Sequence, residues 1–326
     1  VRPFAYERAT SVQDALERHS DGAVYLGGGT NLVDLMRLGV EEPARLVDVA
    51  HLPHDQIELR PDGSLVIGAA VSNSALAADR TVREGHPMLA QAVLAGASGQ
   101  VRNLATVAGN LLQRTRCPYF QDASKPCNKR DPGSGCPARE GEHHNLAIMG
   151  HSPECVATHP SDMAVALAAL GASIRIQGRA GERTIPIDEL HRLPENEPER
   201  DTTLEPGDLI TAVEVPPLGM PSRYRKVRER ASFAFALVSV AAALDVDDGV
   251  VRDVRLALGG VAHKPWRAWH TEDALRGAEM TGESFQRAAE VELGVAEPLR
   301  DNAYKVPLVR NLIVRTLTEL AERGAS

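Results

Sequence analysis

Hydrophobic positions in the first half of the chain fall into short runs whose period keeps changing. Val12, Ala15 and Leu16 recur at helical spacing behind Thr10-Ser11, which predicts an amphipathic helix over Val12 to His19 with Ser11 or Thr10 as its cap. Ala23-Val24-Tyr25-Leu26 is an uninterrupted apolar run and predicts a buried strand, followed by a helix from Leu32 to Arg37. Arg45 to Val49 and Ser64 to Gly68 alternate as strands, and Pro87 to Gly96 returns to helical spacing. From about residue 113 to 157 regular periodicity fades, and it resumes in an alanine-rich helix, Met163 to Leu170, closed by Gly171. Strand patterns follow at Ser173 to Gln177, Arg183 to Ile187 and Leu209 to Val215. After Pro216 to Pro221, which reads as a linker, come three strands (Ser222 to Val227, Phe235 to Val246, Val250 to Leu258), the last two joined at Asp247-Asp248-Gly249 as a hairpin. Helical patterns at Thr271 to Arg276, Ser284 to Ala296 and Tyr304 to Ala321 complete the chain, and strands followed by helices suggest a separate α+β unit.

Length and charge narrow the function. At 326 residues the chain exceeds what one core usually organises. A net charge of -8 gives no basic footprint for nucleic acid. No apolar run reaches the length of a membrane-spanning helix, and Val1 to Tyr6 shows no signal-peptide core. A cytoplasmic location is the default expectation, with a periplasmic one open to a chain exported on a folded partner.

Three segments carry candidate chemistry. Leu26-Gly27-Gly28-Gly29-Thr30-Asn31-Leu32 follows a strand, lets backbone approach a ligand and exposes N–H groups suited to phosphate, although its spacing is not the GxGxxG of a Rossmann domain. Ser98 to Asn110 intersperses glycine and polar residues with small apolar ones, as a segment lying against a large flat ligand requires. All four cysteines, Cys117, Cys127, Cys136 and Cys155, crowd into the irregular segment, separated by nine, eight and eighteen residues. A loop of that length needs something to hold it. Its spacing lacks the short pairs of zinc ribbons, and it is compatible with a four-thiolate iron–sulfur cluster, a zinc site, two disulfides or four unrelated thiols. His143, His144, His151 and His159 lie in or beside this loop and read as solvated or supporting residues.

With these segments placed, the sequence resembles the FAD-binding subunits of the molybdenum hydroxylases, the xanthine dehydrogenase and aldehyde oxidoreductase family. The resemblance rests on Leu26 to Leu32 and on Arg102-Asn103-Leu104-Ala105-Thr106-Val107-Ala108-Gly109-Asn110, and it spans nearly the whole chain. Cys117-Pro118-Tyr119-Phe120, Pro126-Cys127-Asn128-Lys129-Arg130, Gly133-Ser134-Gly135-Cys136 and Cys155 resemble the branch whose flavin subunit carries an extra [4Fe-4S] cluster, that of bacterial three-subunit periplasmic aldehyde oxidoreductases; 4-hydroxybenzoyl-CoA reductase has a comparable loop.

The implied fold is α+β: a two-part FAD-binding domain of the PCMH (vanillyl-alcohol-oxidase-like) type over 1–218, divided at residue 55 with the cluster loop 113–157 inserted in its second lobe, then a smaller CO dehydrogenase flavoprotein-type α+β domain over 222–326. Carried over by position, Leu26, Gly27, Gly28, Gly29, Thr30, Asn31, Leu32, Ala105, Thr106, Gly109 and Asn110 wrap the FAD diphosphate and ribityl chain. Thr158, Ser161 and Asp162 follow on the same cofactor, Lys226 and Ile210 lie near the flavin ring, and the four cysteines hold the cluster. The resemblance implies a large molybdenum-cofactor subunit and a small [2Fe-2S] subunit as partners, a ferredoxin or other carrier as electron acceptor, and no substrate-attacking residue in this chain.

Overall fold

The computed structural model describes every residue except Asp21, Phe233, Ala325 and Ser326, and describes Arg323 and Gly324 in backbone only. Three sheets are formed among the described residues. β1 (Ala5–Arg8), β2 (Ala23–Leu26) and β3 (Arg45–Asp48) make a parallel sheet of order β1-β3-β2, in which Ala23 and Ala5 both register with Arg45. The helix Val12–Arg18 joins β1 to β2, and Ser11 caps it by accepting from the Asp14 N–H.

The second sheet is antiparallel. It consists of β4 (Ile57–Leu59), β5 (Leu65–Gly68), β6 (Ser173–Gly178), β7 (Gly181–Pro186) and β8 (Leu209–Val215), in the order β4-β5-β8-β6-β7. The third has the order β12-β11-β10-β9, from β9 (Ser222–Val227), β10 (Val238–Asp247), β11 (Val250–Gly259) and the short β12 (Trp266–Arg267). Asp248 and Gly249 both take positive φ, 52° and 75°, at the predicted hairpin.

Every residue of the helix Asp162–Leu170 is buried, as a helix apolar on all sides must be. Its Met163, Leu167 and Leu170 share one core with Leu65 and Ile67 of β5, Ile174 of β6, Val213 of β8, and Tyr224, Ala241 and Ala257 of the third sheet. It is packed between two sheets, so its N-terminal residues are held fixed. A second core joins the outer face of β10 and β11 to the last three helices through Val240, Leu256, Phe285 and Ile313.

The cysteine segment folds with one short helix, Pro118–Gln121, and one 3-10 turn, Pro137–Arg139. Side chains bonded to backbone hold much of it. Arg130 donates to the carbonyls of Tyr119 and Phe120 at 2.6 Å each, Asn128 to the Glu154 carbonyl at 3.1 Å, and the buried Lys129 to the Pro198 carbonyl at 2.6 Å. Lys305, wholly buried in the last helix, donates to the Leu146 carbonyl at 2.9 Å and to that of Gly260, tying the loop to the third sheet. Of the two expected roles, solvated or supporting, His143 takes the second: it is buried, with Nδ1 at 3.0 Å from the Ala138 carbonyl and Nε2 accepting from the Asp301 N–H. His144 stays exposed, stacked on Tyr304.

Candidate functional site

The two glycine-bearing segments, some 80 residues apart in sequence, meet in space. A Cβ placed on Gly28 would stand 1.7 Å from the Leu104 carbonyl oxygen, and one on Gly27 would stand 2.9 Å from Thr106 Oγ1. Only glycine permits the first of these approaches. Thr106 Oγ1 accepts from the Gly109 N–H at 3.2 Å and caps the helix Val107–Leu111, while the Val107 and Ala108 N–H groups donate to Val71 and Ala69. The second segment has therefore committed its donors to the fold. In the first, the main-chain N–H groups of Gly28, Gly29, Thr30 and Asn31 donate to no acceptor among the described residues. Four consecutive open donors in a glycine turn suit a diphosphate.

Together the segments wall a cavity of about 360 Å³, with Leu26 to Leu32 on one side, Thr106 and Gly109 on another, and Ile210 of β8 facing them. Asn31 begins the helix Leu32–Arg37 but does not cap it; its Oδ1 accepts from the Arg114 N–H at 2.9 Å instead. Arg114, which sequence reading passed over, is paired with Glu41 and Asp201. Burial pulls its guanidinium pKa down, but the two carboxylates more than offset that and hold it above its ordinary value.

A second cavity, of about 500 Å³, opens at the N-terminus of the central helix and includes Thr158, Ser161 and Asp162. One hydrogen bond, from Ser161 Oγ to Asn110 Oδ1 at 2.6 Å, ties its wall to the helix behind the first cavity. Ser161 also caps its own helix through the Ala164 N–H. The buried Asp162 carboxylate, in the first turn of that helix, accepts from Lys226 Nζ at 2.7 Å and from the Tyr224 hydroxyl at 2.5 Å. Burial, then the Asp162 charge, pushes the Tyr224 hydroxyl well above its usual pKa. Tyr224 was missed, yet it lies two residues from Lys226 on a strand and so shares its face. Lys226 and Ile210 were expected beside the same ring system; Ile210 lines the first cavity, whereas Lys226 ties down the wall of the second. Ala105 is buried behind Gly28, where its Cα would meet a Gly28 Cβ at 3.1 Å. The far wall of the second cavity carries Arg116, whose guanidinium lies 5.0 Å above the Phe235 ring and whose pKa burial lowers.

The four cysteines are unbridged and line one enclosed space, with Cys117, Cys127 and Cys155 buried and Cys136 partly exposed. A hydrogen bond from Cys155 to Cys136 lowers the Cys136 thiol pKa and raises that of Cys155, while burial pushes Cys117 up to about 11. The free space between them is about 10 Å³, room for about one water. Among the described residues no set of three or more His, Cys, Asp or Glu closes on a single metal ion. The donor set suits a soft metal centre, but the thiols as they stand do not enclose one.

A family model described as the FAD binding domain in molybdopterin dehydrogenase matches residues 2–218, and one described as the CO dehydrogenase flavoprotein C-terminal domain matches 222–320. The chain belongs to the FAD-binding subunits of the molybdenum hydroxylases. Among its relatives, the aldehyde oxidoreductase FAD-binding subunit PaoB of Escherichia coli (strain K12) is 46% identical, with 98% of each chain covered. The glyceraldehyde dehydrogenase medium chain of Sulfolobus acidocaldarius is 26% identical, again covering 98% of each chain. Among solved structures, reconstituted CO dehydrogenase from Oligotropha carboxidovorans superposes with a TM-score of 0.78 at 21% identity over 99% of both chains. Quinoline 2-oxidoreductase from Pseudomonas putida 86 gives 0.77 at 23% over 100% of this chain and 99% of that one. This molybdenum hydroxylase flavoprotein subunit thus has the expected α+β fold. No helix among its described residues is long and apolar enough to cross a membrane.

Proposed function

We propose that this chain is the FAD- and [4Fe-4S]-carrying electron-transfer subunit of a molybdenum-dependent aldehyde oxidoreductase, taking electrons from molybdenum and [2Fe-2S] centres on a large and a small partner subunit and passing them to an external acceptor. The observation that carries the flavin part is the cradle at Gly28, where open N–H groups face a cavity walled by both glycine-bearing segments. FAD supplies the exchange of electrons singly or in pairs; the chain's residues bind and orient it. Gly28 to Asn31 would take the diphosphate, and the cavity containing Ile210 would take the adenosine half. The cavity containing Thr158, Ser161 and Asp162 would take the flavin ring, with Lys226 holding Asp162 in place.

The aldehyde oxidoreductase assignment is supported by the 46% relative; xanthine dehydrogenase FAD-binding subunits are related at 23% and give the weaker alternative. The cluster is supported by four free thiols around one enclosed space. Because that space is about 10 Å³, a cluster entering it has to spread the sulfurs apart. The test is iron, sulfide and flavin analysis of the complex purified without oxygen. Replacing Cys127 with Ser is expected to remove the roughly four iron atoms of one such cluster while leaving FAD in place. Iron content unaltered by that change defeats the cluster assignment.

A further inference from the structure

Most of the charged groups around the cavity containing Ser161 are either paired or exposed. The Lys226 charge is neutralised by the buried Asp162, which also accepts from Tyr224. At the mouth, Glu229 faces His144 at 3.5 Å, with both side chains more than half exposed. Glu142 and Arg230 are exposed at the same rim, where solvent screens them. His159, on the wall, is neutral: burial holds its pKa well below the ordinary range, and its ring nitrogens lie 3.3 Å from the Leu111 carbonyl and 3.4 Å from the Ser161 N–H.

Arg116 is the exception. Its Nε is shut off from solvent and has no hydrogen-bond partner, and its guanidinium forms no ion pair among the described residues. Asp34 acts on it through its field alone, and the Phe235 ring lies beneath it at 5.0 Å. An aromatic face does not replace a counter-ion, and a guanidinium does not shed its proton. A buried cation in this position destabilises the fold until an anion reaches it. Arg116 lines this cavity and not the space enclosed by the four thiols. The diphosphate has donors of its own, the open N–H groups of Gly28 to Asn31 at the other cavity. The remaining source of negative charge is the flavin ring itself. Two electrons from the partner centres and one proton from solvent reduce the neutral ring and leave it with one net negative charge.

We propose that Arg116 supplies the positive charge that stabilises the flavin ring in its reduced, anionic form and so raises the flavin's reduction potential. The proposal rests on the reading that places the ring in the cavity containing Ser161. Lys226 then has a different part: it holds the cavity wall through Asp162 and has no charge to spare for the ring.

The test is a redox titration of the flavin in the intact complex, native and with Arg116→Gln or Arg116→Lys. A roughly tenfold loss of preference for the reduced anion is expected in Arg116→Gln, which for a two-electron couple lowers the potential by about 30 mV at about pH 9. At about pH 5, where the reduced ring takes a second proton, the two potentials converge. The pH at which the slope eases from about 60 to about 30 mV per unit rises by about one unit. Arg116→Lys keeps the charge and retains most of the native potential. The FAD-free Arg116→Gln complex is expected to melt no lower than the native one, because it loses an unpaired buried charge; a merely structural arginine would lower it. A flavin potential unchanged by Arg116→Gln at every pH overturns the proposal. So does a shift confined to the iron–sulfur centres, which would pair Arg116 with a cluster, or a loss of FAD affinity without a shift in potential, which would pair it with the diphosphate. The position of the ring is read separately, by stripping FAD and reloading the complex with photoactivated 8-azido-FAD. Labelling of a peptide containing Ser161 or Phe235 supports the flavin reading, so that an unchanged potential then overturns Arg116's part alone. Labelling confined to other segments overturns both.

Discussion

Adding one methyl group at Gly28 tests the cradle directly. The new Cβ would stand 1.7 Å from the Leu104 carbonyl oxygen, 2.5 Å from its carbonyl carbon and 3.1 Å from the Ala105 Cα. Carbon and oxygen in contact normally stay about 3.3 Å apart, so the two segments must separate by roughly 1.5 Å. The obstructing atoms are backbone, so no side-chain rotation relieves the overlap. Overpacking of this kind destabilises by about 1–3 kcal/mol, and backbone against backbone belongs at the upper end. For a domain of this size, about 3 kcal/mol corresponds to a melting temperature lower by roughly 6–12 °C. Gly27→Ala is the control, since its Cβ would meet only the Thr106 hydroxyl at 2.9 Å, and Thr106 can rotate. Losing that cap costs about 1 kcal/mol. The assay is thermal unfolding together with FAD content and FAD affinity of both variants. Because the displaced backbone carries the open N–H groups, Gly28→Ala is expected to lose flavin far more readily than Gly27→Ala. Equal flavin content and equal melting temperatures in the two variants refute the cradle.

Lys226→Met leaves the Asp162 carboxylate buried with Tyr224 alone, and is expected to destabilise by about 3–5 kcal/mol; adding Asp162→Asn should recover much of this in a denaturant titration, and additive losses would show that the pair is not coupled. His191 is buried, and burial lowers its pKa to about 4, below the unfolded value of about 6.5. Between those values the unfolded chain binds the extra proton, so stability is present above about pH 6.5 and is lost as pH falls towards 4, by about 3 kcal/mol in all. His191→Gln should flatten that slope in chemical unfolding measured from pH 7 to 4, and a slope unchanged by the substitution would assign it to other groups.

Much of the fold was legible because its elements follow simple periods. The alternation in β6, β8 and β9 and the apolar run of β2 gave those strands to within a residue or two, and the alanine-rich run gave the central helix to within a residue. β1 escaped because its four residues are mostly exposed and show no alternation; parallel pairing with β3 makes it a strand. Ser98 to Asn110 was read as a segment lying on a ligand; it forms two short helices, Gly99–Leu104 and Val107–Leu111, and its Thr106 and Gly109 wall the first cavity. Thr106 there also caps the second of these helices through the Gly109 N–H. In the cysteine loop the bonds from Arg130, Asn128 and Lys305 hold the backbone, and long-range side-chain-to-backbone bonds have no period to read.

The candidate site shows where motif reading stops. Asn31, Asn110, Ser161, Asp162 and Lys226 were singled out for polar groups that a cofactor could use. In the structure Asn31 accepts from Arg114, Asn110 from Ser161, and Asp162 from Lys226 and Tyr224. A buried polar atom left without a partner destabilises the protein by about 1–3 kcal/mol; these carboxylate and carbonyl oxygens are satisfied internally, while Asn31 Nδ2 is buried without a partner beside the first cavity. What it can leave open cheaply are main-chain donors at the mouth of a cavity, where water serves until a diphosphate displaces it. Gly28 to Asn31 are of that kind. The polar side chains then fix the positions of the segments, the glycines set how closely they approach, and the open donors lie in the backbone of the glycine run that the sequence had already marked.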